Sequence, residues 1–238
     1  MSKKRQDSSQ GTDQHSVIDS SHSKNPEDDG LDYSPIVVVA KLVSKVFSDL
    51  GLEGSPLFYE ELSVFINHVY GTRNRTFHDV YHALEVGEGC APIGKLAALF
   101  HDVVYIQVDR SRSPALRDCF NVFDPKEGLE LKIPEEDVLT GDPWRVAITT
   151  LFGVKPGDTL KPFSGINEFL SAWVAIQKCR THISNGDLLK LILCIEATVP
   201  FRTKTKEGLS IPEQSAVRLV AAAEVLGHVF TTDRKSVV

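Results

Sequence analysis

No two cysteines in this chain are spaced C-x-x-C. The four that occur, Cys90, Cys119, Cys179 and Cys194, therefore offer neither a zinc-ribbon nor a thioredoxin-type motif. Their mostly apolar, helix-like settings predict buried thiols in a reducing compartment. Basic runs are scarce too: beyond Lys3-Lys4-Arg5 there is no long Lys/Arg stretch, and the net charge is -6. A protein that grips a phosphate backbone needs a basic patch, so no nucleic-acid partner is expected. No apolar run is long enough to span a bilayer, and no apolar segment follows the basic N-terminus. Neither a membrane span nor a signal peptide is expected, and the expected location is the cytoplasm. Internal repeats are lacking, as are hairpin signals between alternating apolar residues; Asn185-Gly186 sits between helical patterns instead.

What is present is helical periodicity. Residues 1–33 are polar and hold almost nothing apolar, which predicts a disordered tail. From Pro35 a wide apolar stripe runs through Val39, Val43, Val46 and Phe47 until Gly51 stops it. Ser55-Pro56 reads as an N-cap and first-turn proline for a second helix ending at Gly71. Further helices are predicted from about Phe77 to Val86 and after Pro92. Residues 106–134 read as a long loop with a short helix near Leu116–Phe120, and Asp142-Pro143 opens the next helix. The last three helices are predicted at about 166–181, 186–198 and 212–230. The fold class is all-α, with a helical domain over residues 34–232.

Chemistry concentrates in two segments, Arg73-Asn74-Arg75-Thr76-Phe77-His78-Asp79-Val80-Tyr81-His82 and Leu96-Ala97-Ala98-Leu99-Phe100-His101-Asp102-Val103-Val104-Tyr105. A four-residue spacing puts His78 and His82 on one face of a helix. His101 and Asp102 are expected inside a strongly apolar helix, where an uncompensated carboxylate costs several kcal/mol and a metal cation removes that cost. A buried His–Asp hydrogen bond is the alternative use of that pair. Imidazole with carboxylate suits Mn, Fe, Co, Ni or Zn, and carboxylate with water suits Mg. His78-Asp79-x-x-His82 also approaches the zinc-protease pattern H-E-x-x-H, but Asp shortens the base and no third-ligand pattern follows. Arg75 is a candidate for bidentate phosphate binding, with a solvated loop the competing reading.

These residues resemble the HD-domain superfamily, and most closely its small predicted metal-dependent phosphohydrolases, whose motifs read Y-H-N-x-x-H and A-x-x-F-H-D-x-x-Y. Here Phe77 stands for the usual Tyr and Asp79 for the usual Asn. The motifs lie within residues 73–105; their order, spacing and helical setting extend the resemblance over residues 36–230. The resemblance implies an HD-domain-like helical bundle and a divalent metal held by His82, His101, Asp102 and a late Asp. It makes His78 the general acid that protonates a leaving alkoxide. Asp187 is the best internal candidate for the late Asp, ahead of Asp158 and Asp233. The implied substrate is a small phosphoester or nucleotide, hydrolysed by metal-activated water.

Residues 233–238 read Asp-Arg-Lys-Ser-Val-Val, which resembles a translated sequencing adapter. They are expected to be non-native, with the natural chain continuing and carrying the late Asp. Two other functions stay open: a catalytically inactive regulatory or nucleotide-binding module on the same fold, and an iron oxygenase, as some HD relatives resemble.

Overall fold

The computed structural model describes residues 34–72, 75–108, 114–120, 122–125, 129–200 and 208–230. The tail expected at 1–33 and the segment 233–238 lie outside these residues, as do Arg73, Asn74 and Asp233. Among the described residues the protein is mostly helical, with ten helices and one two-stranded sheet.

Helix α1 (Pro35–Asp49) forms despite its β-branched start. Pro35 sits in the first turn, where a missing N–H costs nothing, and Val39, Val43, Val46 and Phe47 fall on one buried face. Helix α2 (Pro56–Tyr70) begins as expected, the Ser55 hydroxyl accepting from the Phe58 amide at 3.1 Å. The two helices pack together, and Phe47 meets Phe58 at a ring separation of 5.3 Å.

Helix α3 (Val80–Val86) starts later than its periodicity suggests, because the Asp79 carboxylate accepts from the His82 amide at 2.9 Å and caps it. His78 therefore precedes the helix, on a bend, rather than sharing its face with His82. Helix α4 (Pro92–Phe100) buries Leu96, Ala97, Ala98, Leu99 and Phe100. His101 is its C-cap, and Asp102 lies just beyond. The His-Asp pair is thus at a helix end, not inside a helix. That leaves the two side chains able to turn toward one another, a convergence that neighbours within a helix achieve poorly.

Helix α5 (Pro114–Phe120) leads toward strand β1 (Leu131–Lys132), and α6 (Glu136–Leu139) and α7 (Pro143–Phe152) follow. Strand β2 (Thr159–Leu160) pairs antiparallel with β1, Leu131 opposite Leu160. This sheet departs from an all-helical reading; strands of two residues carry no periodicity to detect. Helix α8 (Ile166–Cys179) is buried on nearly all sides, with Phe169, Leu170, Trp173, Val174 and Ile176 at the centre of the core. Helix α9 (Asn185–Ala197) packs on α8 and α4, and α10 (Ile211–Val225) covers α7 and α9. Helix α10 ends before the expected residue 230, at Leu226 and a left-handed Gly227. Cys119 and Cys179 are buried, but Cys90, between α3 and α4, and Cys194, on α9, are exposed, against the expectation of buried thiols. No helix is long and apolar enough to cross a membrane among the described residues.

Contacts with α8, α9, α1 and α3 surround α4 and carry its C-terminal end into the interior beside the start of α3. The two sequence motifs meet there.

Candidate metal centre

A helix end leaves carbonyls without intrahelical partners, and burial makes each of them costly unless a donor is found. Around the end of α4 every such donor is a specific side chain or amide. The His101 amide reaches the Ala97 carbonyl at 2.8 Å, and the Val103 amide reaches Phe100 at 3.1 Å. His101 Nδ1–H donates to the Ala98 carbonyl at 2.7 Å. The Tyr70 hydroxyl donates to Leu99 at 3.2 Å. Burial, reinforced by the Asp102 charge, pushes that phenol far above its ordinary range, so it remains a donor. The guanidinium of Arg75 donates to the Asp102 carbonyl at 2.6 Å and to Val103 at 3.1 Å, with its plane near the Tyr70 ring, 5.2 Å from the centroid.

The chain beyond Asp102 is held from α8. Ser171 Oγ accepts from the Val104 amide at 3.1 Å, and Asn167 Oδ1 accepts from the Ile106 amide at 3.0 Å. Asn167 Nδ2 then donates to Gln107 Oε1 at 2.9 Å. Both α8 side chains are buried, so the position of the His-Asp turn is fixed by the most deeply packed helix in the fold.

On this frame three imidazoles surround one carboxylate oxygen. Asp102 Oδ2 lies 2.8 Å from His78 Nδ1, 3.0 Å from His101 Nε2 and 3.9 Å from His82 Nε2. Atoms of His78, His82 and Asp102 all fall within 4.8 Å of one another, a group that can hold a metal ion. The rings of His82 and His101 are 5.5 Å apart, which brings the fourth residue alongside. Asp102 and His101 are nearly covered, whereas His78 and His82 are about one-third open to solvent. The centre is therefore anchored on its inner side and accessible on its outer side.

The Ala98 carbonyl can only accept, which sets the tautomer of His101. Because His101 Nδ1 carries the proton given to Ala98, its Nε2 faces Asp102 with a lone pair unless a second proton or a cation lies between them. Burial on its own lowers the His101 pKa, but the hydrogen bond and charge of Asp102 outweigh it and hold the group above its ordinary 6.5. The Ala98 carbonyl and the charge of Glu168, on α8, add to this. Burial likewise works to raise Asp102, and the bonds from His101 and His78 prevail, keeping it below its ordinary 3.8. A buried carboxylate, a helix C-terminal end and a neighbouring Glu all favour positive charge at this place. The donor set, imidazole nitrogen with one carboxylate oxygen, fits a divalent transition metal.

Of the residues singled out from sequence, His78, His82, His101 and Asp102 are brought together. Arg75 is present but otherwise employed: buried, with its guanidinium directed at two backbone carbonyls, it braces the His-Asp turn rather than presenting a fork to solvent. Asp187 is not brought to the cluster. It occupies the first turn of α9, accepting from Ser184 Oγ at 2.8 Å and pairing with Lys190 Nζ at 3.0 Å. A carboxylate at a helix start is recruited by its own cap, which is why its position in the sequence misleads. Tyr70, Asn167, Glu168 and Ser171 were missed. A signal existed: Asn167 and Ser171 stand four apart on a helix otherwise almost wholly apolar, a placement that asks for buried partners.

Comparison of the chain with family models, with curated proteins and with solved structures gives no match.

Two outcomes follow from this geometry. In metal-free protein the His101–Asp102 pair contributes fully to stability above 3.8 and below 6.5. That contribution is lost as pH rises through the raised His101 pKa, and as pH falls through the lowered Asp102 pKa. The difference in urea midpoint between the chain and Asp102→Asn, measured with chelator present, should therefore be greatest in that window and shrink on both sides. A pH-independent difference contradicts the assignment. Second, Arg75→Lys keeps the charge but not the fork, and is expected to cost about 1–3 kcal/mol in urea unfolding. A loss within about 0.5 kcal/mol, the range of ordinary surface changes, contradicts the bracing role.

Proposed function

We propose that this protein is a metal-dependent phosphohydrolase with an HD-domain-like helical bundle, acting on a small phosphoester or nucleotide. The observation that supports this reading most strongly is the convergence of three imidazole nitrogens on one carboxylate oxygen, Asp102 Oδ2 lying 2.8 Å from His78 Nδ1, 3.0 Å from His101 Nε2 and 3.9 Å from His82 Nε2. Imidazole nitrogens around a carboxylate oxygen are a donor set that suits a divalent cation.

In this reading His82, His101 and Asp102 hold a divalent ion of the Mn, Mg, Fe, Co, Ni or Zn class. When bound, the ion supplies Lewis acidity to a phosphoryl oxygen and a lowered pKa to water. The protein's own groups do the rest. The Ala98 carbonyl fixes the tautomer of His101 and aims its Nε2 inward. Arg75, Tyr70 and Ser171 hold the backbone that carries both inner groups. His78 is the general acid: its Nδ1–H is held by Asp102, so Nε2 is the nitrogen that delivers a proton to the leaving oxygen as the P–O bond breaks. Its partial exposure lets a substrate oxygen approach.

A second reading is favoured by one fact: His78, His82 and Asp102 form a group with a single carboxylate. A ligand-binding module without turnover would keep the pocket on that basis. Hydrolysis of a panel of phosphomonoesters, phosphodiesters and nucleotides, with Mn, Mg, Co and Ni each supplied, separates the two. Turnover by the metal-loaded protein is expected. His78→Gln should lower kcat roughly 100- to 10,000-fold while leaving metal content unchanged. Thermal stabilisation by nucleotides without any turnover supports the binding module and contradicts the enzyme. Loss of metal in His78→Gln makes His78 a ligand and removes it as the acid.

A further inference from the structure

His78 differs from the other three residues of the cluster in having no backbone tie. His82 lies in α3, His101 caps α4, and the Asp102 carbonyl is held by Arg75. Among the described residues, none hydrogen-bonds the backbone of residues 76–78, which lie on the bend before α3. The His78 imidazole is held through its ring instead. Its Nδ1 meets Asp102 Oδ2 at 2.8 Å, the Tyr105 ring stands 4.6 Å away at a tilt of 44°, and the His82 ring stands edge-on at 5.4 Å. One hydrogen bond fixes one distance and leaves the imidazole plane able to turn about the line joining Nδ1 to Oδ2. A flat ring packed against the imidazole opposes that turn. Tyr105 is suited to this because both of its neighbours are anchored on α8. The Val104 amide donates to Ser171 Oγ on one side of it, and the Ile106 amide donates to Asn167 Oδ1 on the other. Val104 and Ile106 are buried, Tyr105 is half-buried, and its carbonyl accepts from the Val108 amide at 3.0 Å. The rigidity of α8 thus reaches His78 through the Tyr105 ring.

We propose that Tyr105 is a positioning residue for His78: its ring fixes the plane of the imidazole about the Asp102 hydrogen bond, and so the direction in which Nε2 points. The use made of Nε2 rests on the phosphohydrolase reading, in which that nitrogen gives the leaving oxygen its proton; the holding of the ring does not. Proton delivery needs the donor within hydrogen-bond reach of the acceptor, and a misplacement of about 1 Å costs roughly 100-fold in rate. A phenyl ring serves as well as a phenol here, because the face does the holding. An alkyl side chain of similar bulk has no flat face to offer.

Two measurements test this, one of them independent of turnover. The first is the NMR spectrum of magnesium-loaded protein carrying ring-labelled histidine, with the His78 signals identified by their loss in His78→Gln. In the chain and in Tyr105→Phe, Overhauser contacts should join the His78 ring to the ring of residue 105, and His78 should give one sharp set of signals. Tyr105→Leu should broaden or multiply that set. Tyr105→Met, which also lacks a flat face, takes its place if circular dichroism shows Tyr105→Leu unfolded. His78 signals as sharp and single in the alkyl variant as in the chain overturn the positioning role. The second measurement compares hydrolysis of nitrophenyl phosphate with that of an alkyl phosphate. A nitrophenolate leaves without a proton, whereas an alkoxide needs one. Tyr105→Leu should therefore lower kcat on the alkyl ester about 10- to 100-fold, with kcat on the nitrophenyl ester, KM for both and metal content retained. Tyr105→Phe should keep the kcat of the chain on both. A loss shared equally by the two esters, or no loss on the alkyl ester, overturns the role as well. His78 loosened in the alkyl variant while the chain itself hydrolyses neither ester leaves the positioning role standing and contradicts the phosphohydrolase reading alone.

Discussion

A helix that ends in the protein interior must have its last carbonyls satisfied, and the end of α4 also carries a carboxylate. Everything notable about this structure depends on that double demand. Ala97 and Phe100 are served by amides of the following turn, Ala98 by His101, Leu99 by Tyr70, and Asp102 and Val103 by Arg75. The side-chain donors come from three places in the chain: Tyr70 on α2, Arg75 before α3, and His101 at the end of α4 itself. The helix cannot shift or unwind locally without releasing several of these bonds together, and each released buried carbonyl costs about 1–3 kcal/mol.

The same demand shapes the site. One imidazole nitrogen of His101 is consumed by the helix end, so the other is the only one it can offer, and it is aimed at Asp102. Asp102 gains partners from His101 and from His78, which arrives on the bend created by the Asp79 cap of α3. Asp79 therefore acts at one remove: by stopping α3 short, it leaves the chain free to place His78 beside Asp102. From the opposite side, Ser171 and Asn167 tie residues 104–107 to α8, whose burial makes it the least movable element. A site whose two inner groups stand on a rigid frame and whose two outer groups remain open is suited to holding an ion while exchanging a ligand.

The helical fold was legible from periodicity and punctuation. Ser55-Pro56, Asp142-Pro143 and Gly51 mark boundaries through local backbone chemistry, and the structure places helix ends beside them. The two-residue strands were not legible, because pairing between Leu131 and Leu160 is a tertiary event with no local pattern. For the site, the four central residues could be read because their types and spacing demand compensation for burial. Two candidates chosen on residue type alone are engaged by other partners in the structure. Arg75 offers the right chemistry for phosphate, but its neighbours supply backbone carbonyls first. Asp187 offers a carboxylate, but a helix start and Lys190 claim it. A sequence shows what a side chain can do; competition from nearby backbone groups decides what it does, and that depends on distances across the fold.

The proposed function requires a divalent cation between His101 and Asp102, within reach of His82. Anomalous X-ray diffraction from manganese- or zinc-soaked crystals, recorded on both sides of the metal absorption edge, tests it directly. One strong anomalous peak is expected about 2.0–2.2 Å from His82 Nε2, His101 Nε2 and an oxygen of Asp102. The same peak should be absent in Asp102→Asn crystals. No peak at this position at saturating metal, or one that persists without the Asp102 carboxylate, would contradict it.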